Sequence, residues 1–187
     1  PQQEAAEQGC DQVCFLDDVT EKNLEELGGM NIMVVDADGT VRTPHLTGTI
    51  LEGNTRSAII RLLQDEGRRV VEDTITLEGL LADIESGKVT EVFACGTAAV
   101  VVPLGHLKGR DFDVTISGQE VTRQIHDRLT GIQYGRYEDK RDRAAVIEVA
   151  QCLEGVLDDA VLGGAAERRD HRDAAGVDLA VRPVEAL

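Results

Sequence analysis

The sequence predicts an α/β fold, mixed strands wrapped by helices, and three observations carry that reading. Apolar runs of strand length recur at Ile32-Met33-Val34-Val35, Val92-Phe93-Ala94-Cys95 and Val100-Val101-Val102. Between them, apolar residues repeat at helical spacing: Ala58, Ile59, Leu62 and Leu63, then Leu77, Leu80, Leu81 and Ile84, then Val121, Ile125 and Leu129. Turn formers punctuate the two periodicities, notably Asp36-Ala37-Asp38-Gly39, Gly67 and Gly87. The length of 187 residues suffices for one domain with a core, or one domain plus an appendage.

In chain order, Gln2 to Gly9 reads as the end of a helix with Gly9 as its stop, and Val13-Cys14-Phe15-Leu16 as a short buried strand closed by Asp17-Asp18. Asn23 to Asn31 leads into the strand Ile32–Val35. Asp36–Gly39 turns the chain, and Thr40–Thr43 returns as the second arm of a hairpin. Asp36 and Asp38 do not make a calcium loop, because the remaining ligands and the terminal Glu are missing at the required spacing. Thr55 stands where an N-cap belongs, ahead of a helix that Gly67 ends. Val70 to Ile75 follows as a strand, then the helix around Leu77–Ile84. The apolar run Glu91 to Pro103 comes next, then the strand Asp113–Ile116 and a helix from Glu120 to Gly131. His126 lies one step off that helix's apolar stripe and reads as a boundary residue, not a metal ligand.

Composition narrows the class. The chain is 42% hydrophobic and 29% charged, with a net charge of -16, which argues against nucleic acid or an anionic membrane as partner. No apolar stretch reaches transmembrane length. Cys10, Cys14, Cys95 and Cys152 have neither metal-ligand spacing nor the density of a disulfide scaffold, so buried reduced thiols and a cytoplasmic setting are expected. No metal site is expected.

The run Glu91 to Pro103 is interrupted at Gly96-Thr97-Ala98, which reads either as a glycine bend between two buried strands or as a ligand-facing break. Glycine permits close backbone approach to a ligand and Thr97 adds a hydroxyl, so the break is a candidate anion site. The helix start at Leu51-Glu52-Gly53-Asn54-Thr55-Arg56 is a second one, because unpaired N–H groups and the positive end of the helix dipole suit a phosphate.

Five ordered motifs carry a resemblance over residues 1–142: Gly9-Cys10-Asp11-Gln12-Val13, Glu26-Leu27-Gly28-Gly29-Met30-Asn31, Leu46 to Arg56, Phe93 to Pro103, and Leu129-Thr130-Gly131-Ile132-Gln133. Together they resemble the branched-chain amino acid aminotransferases, pyridoxal 5'-phosphate enzymes of fold type IV. The resemblance implies a large cofactor-binding domain over 1–142 and reversible amino-group transfer between leucine, isoleucine or valine and 2-oxoglutarate. It implies that Glu26 partners the pyridine nitrogen and keeps it protonated. Leu51 would pack on the ring face, Asn54 and Thr55 would hold the cofactor phosphate at their helix start, and Gly96 and Thr97 would add further cofactor contacts. Thr97 and Ala98 would receive the substrate carboxylate. Complete members are homodimers, so a homodimer is expected of the complete protein.

Departures qualify what this chain does alone. The Schiff-base lysine of the family, in a Lys-x-Gly-Gly-Asn-Tyr-Ala-like stretch, has no match among Lys22, Lys88, Lys108 and Lys140. No catalytic residue is therefore assigned, and the chain by itself is expected to be inactive. The small N-terminal domain that shapes the side-chain pocket, and a tyrosine beside the cofactor, are expected to be missing too. Ala99 and Val102 replace a Cys-x-x-Cys pair of some members, so thiol regulation is not expected there. D-amino acid aminotransferases and aminodeoxychorismate lyases share much of this logic and are the nearest alternatives; a non-catalytic remnant is another. Residues 143–187 depart from the family. They contain no aromatic residue and read as an atypical helical or disordered tail, with an amphipathic stretch over 146–157. Their Ala/Arg/Asp/Gly/Val composition fits either a shifted reading frame of GC-rich DNA or a lineage-specific extension.

Overall fold

The computed structural model describes residues 2–97, 100–139 and 180–183. Helix α1 (Gln2–Glu7) leads to strands β1 (Gln12–Leu16), β2 (Leu24–Leu27), β3 (Met30–Asp36) and β4 (Val41–Pro44). Helix α2 (Asn54–Asp65) and strand β5 (Val70–Asp73) come next, then α3 (Leu77–Glu85), β6 (Val89–Gly96), β7 (Val100–Lys108), β8 (Asp113–Thr115), α4 (Glu120–Gln133) and β9 (Ala180–Pro183). The α/β class read from the sequence is the observed one.

The strands form one curled sheet in the order β2-β1-β9-β7-β6-β3-β4-β5, with β8 on β7. Because β2 also pairs with β3, the strands β1, β2, β3, β6, β7 and β9 close into a ring. Strand β3 organises this arrangement. One edge carries β6 along its whole length, from Asn31 opposite Cys95 to Val35 opposite Glu91. The other edge is shared, with Glu26 and Leu27 of β2 at one end and Arg42 and Val41 of β4 at the other. The Thr43 hydroxyl donates to the Ile32 carbonyl at 2.8 Å between those two partners.

Side chains that alternate along β3 divide the core in two. Ile32 and Val34 join Leu24, Leu27, Ala94 and Leu104, against which α3 packs through Leu80 and the half-buried Leu77, Leu81 and Ile84. Met33 and Val35 join Phe93, Cys95 and Val101 beneath the expected faces of α2 (Ala58, Ile59, Leu62, Leu63) and α4 (Ile125, Leu129). Each fully buried Ile or Leu contributes about 1.5–3 kcal/mol of hydrophobic stabilisation, so these two layers fix where α2 begins. Gly67 ends α2 as expected: it adopts φ 76°, and the N–H groups of Gly67 and Arg68 close back onto the carbonyls of Gln64 and Leu63.

Two expectations change, and the bend at Gly96 gains its geometry. Leu24–Leu27, read as a lead-in, is strand β2, paired on both sides by β1 and β3. The interruption at Gly96 is a reversal of direction, with Gly96 opposite Val100 in an antiparallel β6–β7 pair and β7 running on to Lys108. Ala180–Pro183, assigned to a helical or disordered tail, forms β9 between β1 and β7. The stretch 146–157 and the boundary at 142 lie outside the described residues.

Candidate functional site

Asn31 marks the corner where the site residues meet. It stands opposite Glu26 on β2 and opposite Cys95 on β6, so Glu26, Asn31 and Cys95 lie in one row across three strands. Directly paired residues of antiparallel strands project to the same face. Two strand spacings separate the ends of this row, about 9.6 Å. Gly96 follows Cys95 and lies close over Met30: a methyl group added at Gly96 would reach the Met30 Cγ at 3.0 Å.

The segment ahead of α2 closes the corner from above. The Asn31 Nδ2 donates to the Leu51 carbonyl at 3.0 Å. Gly53 follows with φ 73°, and a Cβ there would collide with the Asn31 Oδ1. Only glycine fits that combination of left-handed backbone and close approach. Gly53 is also the N-cap of α2, and no side chain caps this helix start. The sequence placed the cap at Thr55. The structure puts Thr55 one residue inside the helix and buries it, because the chain enters the helix through the positive φ of Gly53.

Arg56, in the same first turn, is 3% exposed. Its Nη2 donates to the Pro44 carbonyl at 2.9 Å and to the Glu72 Oε2 at 2.6 Å, which pins α2 to β4 and β5.

Each sequence-assigned residue can now be placed. Glu26 is half-buried, and burial, with a smaller effect of neighbouring Glu25, pushes its carboxyl above the ordinary carboxylate range. A cation beside it would relieve that penalty. Leu51 is 77% exposed, an apolar side chain held at the rim with open space beside it. Asn54 is exposed at the first position of α2, and Thr97 is exposed in the turn after β6. Ala98 lies outside the described residues. Val100 enters β7 with φ 55°, a left-handed value that β-branched residues avoid, so the Gly96–Val100 reversal stores strain beside the corner.

These features fit pyridoxal phosphate in three respects: an acidic side chain destabilised by its own charge, an exposed apolar side chain for a ring face, and an uncapped helix start for a phosphate. Lysine is the exception. Strands advance about 3.3 Å per residue, so Lys88 before β6 and Lys108 at the far end of β7 are each on the order of 25 Å from the Gly96 end. Lys88 bonds both carboxylate oxygens of Asp83 at 3.0 Å. Lys140 lies outside the described residues.

Sequence reasoning did not assign Asn31 or Gly53. The available signal was a short amide inside an otherwise apolar strand, Met30-Asn31-Ile32-Met33. Elsewhere, Cys10, Cys14 and Cys95 are free and buried as expected, and burial pushes the Cys14 and Cys95 thiols up to about 12. Among the described residues no cluster of His, Cys, Asp or Glu could hold a metal ion, and no helix is long and apolar enough to cross a membrane.

The branched-chain-amino-acid aminotransferase of Mycolicibacterium smegmatis is 44% identical over 144 residues, which are 74% of this chain and 39% of that protein. The branched-chain amino acid aminotransferase from Escherichia coli superposes with a TM-score of 0.62 at 30% identity, covering 74% of this chain and 44% of that one. The branched-chain aminotransferase from Thermoproteus uzoniensis, solved with norvaline, gives a TM-score of 0.62 at 32% identity, over 73% of this chain and 42% of that one. The chain thus spans well under half the length of these relatives. The amino-transferase class IV family model matches residues 1–107, and the chain belongs to that family.

Proposed function

We propose that this chain is the cofactor-binding portion of a branched-chain amino acid aminotransferase, and that its Asn31 corner receives pyridoxal phosphate. The observation that carries the reading is the approach of the Glu26 strand, the Leu51 carbonyl, the Gly53 helix start and the Gly96 end of β6 to one buried asparagine. When bound, pyridoxal phosphate supplies an electron sink for the carbon that loses its proton during amino-group transfer. Glu26 keeps a proton on the pyridine nitrogen, the Leu51 side chain covers one ring face, and the backbone N–H groups at Asn54 and Thr55 hold the phosphate. Thr97, with Ala98 beside it, orients the substrate carboxylate. In the complete protein the substrates are leucine, isoleucine or valine with 2-oxoglutarate, the assembly is a homodimer and the compartment is the cytoplasm. The wording of its motifs favours this group over D-amino acid aminotransferases and aminodeoxychorismate lyases.

The placement of Lys88 and Lys108 favours a second statement: this chain binds the cofactor without transaminating. Titration with pyridoxal phosphate, borohydride reduction and peptide mass spectrometry test both. Saturable binding that inorganic phosphate competes away, scattered substoichiometric lysine labelling and no leucine transamination are expected. A single stoichiometric adduct on one lysine, or turnover by the purified chain, overturns the second statement. Absence of saturable binding overturns the first.

A further inference from the structure

We propose that Asn31 is a positioning residue that sets the start of α2 against the Glu26 strand, and so determines how well this corner distinguishes phosphorylated from unphosphorylated pyridoxal. The inference rests on the cofactor reading above. Glu26 belongs to the sheet, whereas Leu51 and the N–H groups of the α2 start belong to a connecting segment. Two ends of one ligand would therefore be gripped by separate parts of the fold, and their spacing must be fixed by something that touches both.

Asn31 does so. Its backbone is paired with Glu26 across the β2–β3 ladder, and its side chain, 7% exposed, donates to the Leu51 carbonyl at 3.0 Å. On its other side the Oδ1 fills the space that a Cβ on Gly53 would need. A short amide carries a donor and an acceptor on one planar group, so it can donate to Leu51 while its oxygen packs against the N-cap two residues later. A second tether, from the Thr49 hydroxyl to the Glu25 Oε1 at 2.6 Å, holds the outer part of the same segment to β2. That bond is exposed and competes with water, so the better-shielded, half-buried Asn31 contact governs the position of the helix start.

Arg56 and Glu72 fix the other side of α2 to β4 and β5. Loss of the Asn31 amide therefore frees Leu51 to Thr55 locally without unseating the helix. Loosening that segment moves the phosphate donors and leaves Glu26 in place. The ligand's phosphate end should lose affinity selectively.

The test is Asn31→Ala and Asn31→Asp in the full chain, read in two ways. Without ligand, amide hydrogen exchange at Leu51–Ser57 is expected to quicken about tenfold in Asn31→Ala, with β6 amides unchanged. With ligand, pyridoxal phosphate affinity should fall about tenfold, about 1.4 kcal/mol, and pyridoxal affinity less than twofold. Asn31→Asp should lose more, since it cannot donate to Leu51 and adds a negative charge near the phosphate. Gly53→Ala, which drives a Cβ into the Asn31 Oδ1, should reproduce the exchange effect if Asn31→Ala folds poorly. Unchanged exchange at Leu51–Ser57 in Asn31→Ala, or in Gly53→Ala where that variant replaces it, overturns the proposal. So does an equal loss for both ligands. If the wild-type chain binds neither ligand, the cofactor reading fails, and the exchange experiment still decides whether Asn31 holds the helix start.

Discussion

Replacing Glu91 tests whether β6 and α4 behave as one unit. The Glu91 Oε1 accepts the Val121 N–H at 2.8 Å, and its Oε2 accepts the Thr122 N–H at 2.8 Å and the Thr122 hydroxyl at 2.7 Å. A carboxylate from the middle of a strand thus caps a helix whose own N-cap residue, Gln119, makes no side-chain cap bond. Glu91 is 4% exposed and Thr122 fully buried, so water cannot replace the lost acceptor. In Glu91→Ala, two Thr122 donors remain buried at about 1–3 kcal/mol each, and the helix end loses about 0.3–1 kcal/mol of favourable charge. The expected destabilisation is about 3–5 kcal/mol. Glu91→Gln should cost roughly half as much, because its oxygen can still serve Thr122 while its NH₂ group opposes the Val121 N–H. Urea unfolding followed by circular dichroism, extrapolated linearly to water, measures both variants. A Glu91→Ala chain within about 1 kcal/mol of wild type, or a Gln variant as damaged as the Ala one, refutes the reasoning.

Three further outcomes follow from the same structure. Burial first, and then Glu25, raises the Glu26 carboxyl in the fold, so its stabilising contribution is complete below the unfolded pKa and is lost as pH rises through the folded value. Glu26→Gln should therefore raise the melting temperature of the ligand-free chain at pH 7, with no gain at pH 3, while weakening pyridoxal phosphate binding; an equal shift at both pH values contradicts this. Cys14 and Cys95, pushed up to about 12 by burial, should resist a thiol-specific disulfide reagent at pH 8 until the chain is denatured, which peptide mapping checks. Thr76 accepts the Gly79 N–H at 3.1 Å as the cap of α3, so Thr76→Ala should cost about 1 kcal/mol in the same urea assay.

Local periodicity made most of the elements legible. The buried faces of α2 and α4 include the residues their helical spacing selected, with Val121 half-buried and Ile60 and Ile132 added, since side-chain direction in a helix follows position. The Asp36–Gly39 turn and the Gly67 stop were legible for the same reason: each is a backbone conformation a few residues can enforce. Strand β2 was not, because Glu25 and Glu26 break its alternation and only the flanking β1 and β3 make it a strand. The bend at Gly96 was legible from the glycine that interrupts the apolar run, and only the β6–β7 pairing shows that it reverses the chain.

Motif wording in the sequence by itself determined the family and drew attention to Glu26, the Leu51–Arg56 segment and Gly96–Thr97. Tertiary structure alone decided how they meet. It moved the helix cap from Thr55 to Gly53, paired Arg56 with Glu72, placed Lys88 and Lys108 far from the corner, and made Asn31 the residue that joins its parts. The physical reason is range. Capping, turns and amphipathic faces are settled within a few residues, whereas the pairing of Asn31 with Glu26 and Cys95, and its contact with Leu51, joins segments that only the folded sheet brings together.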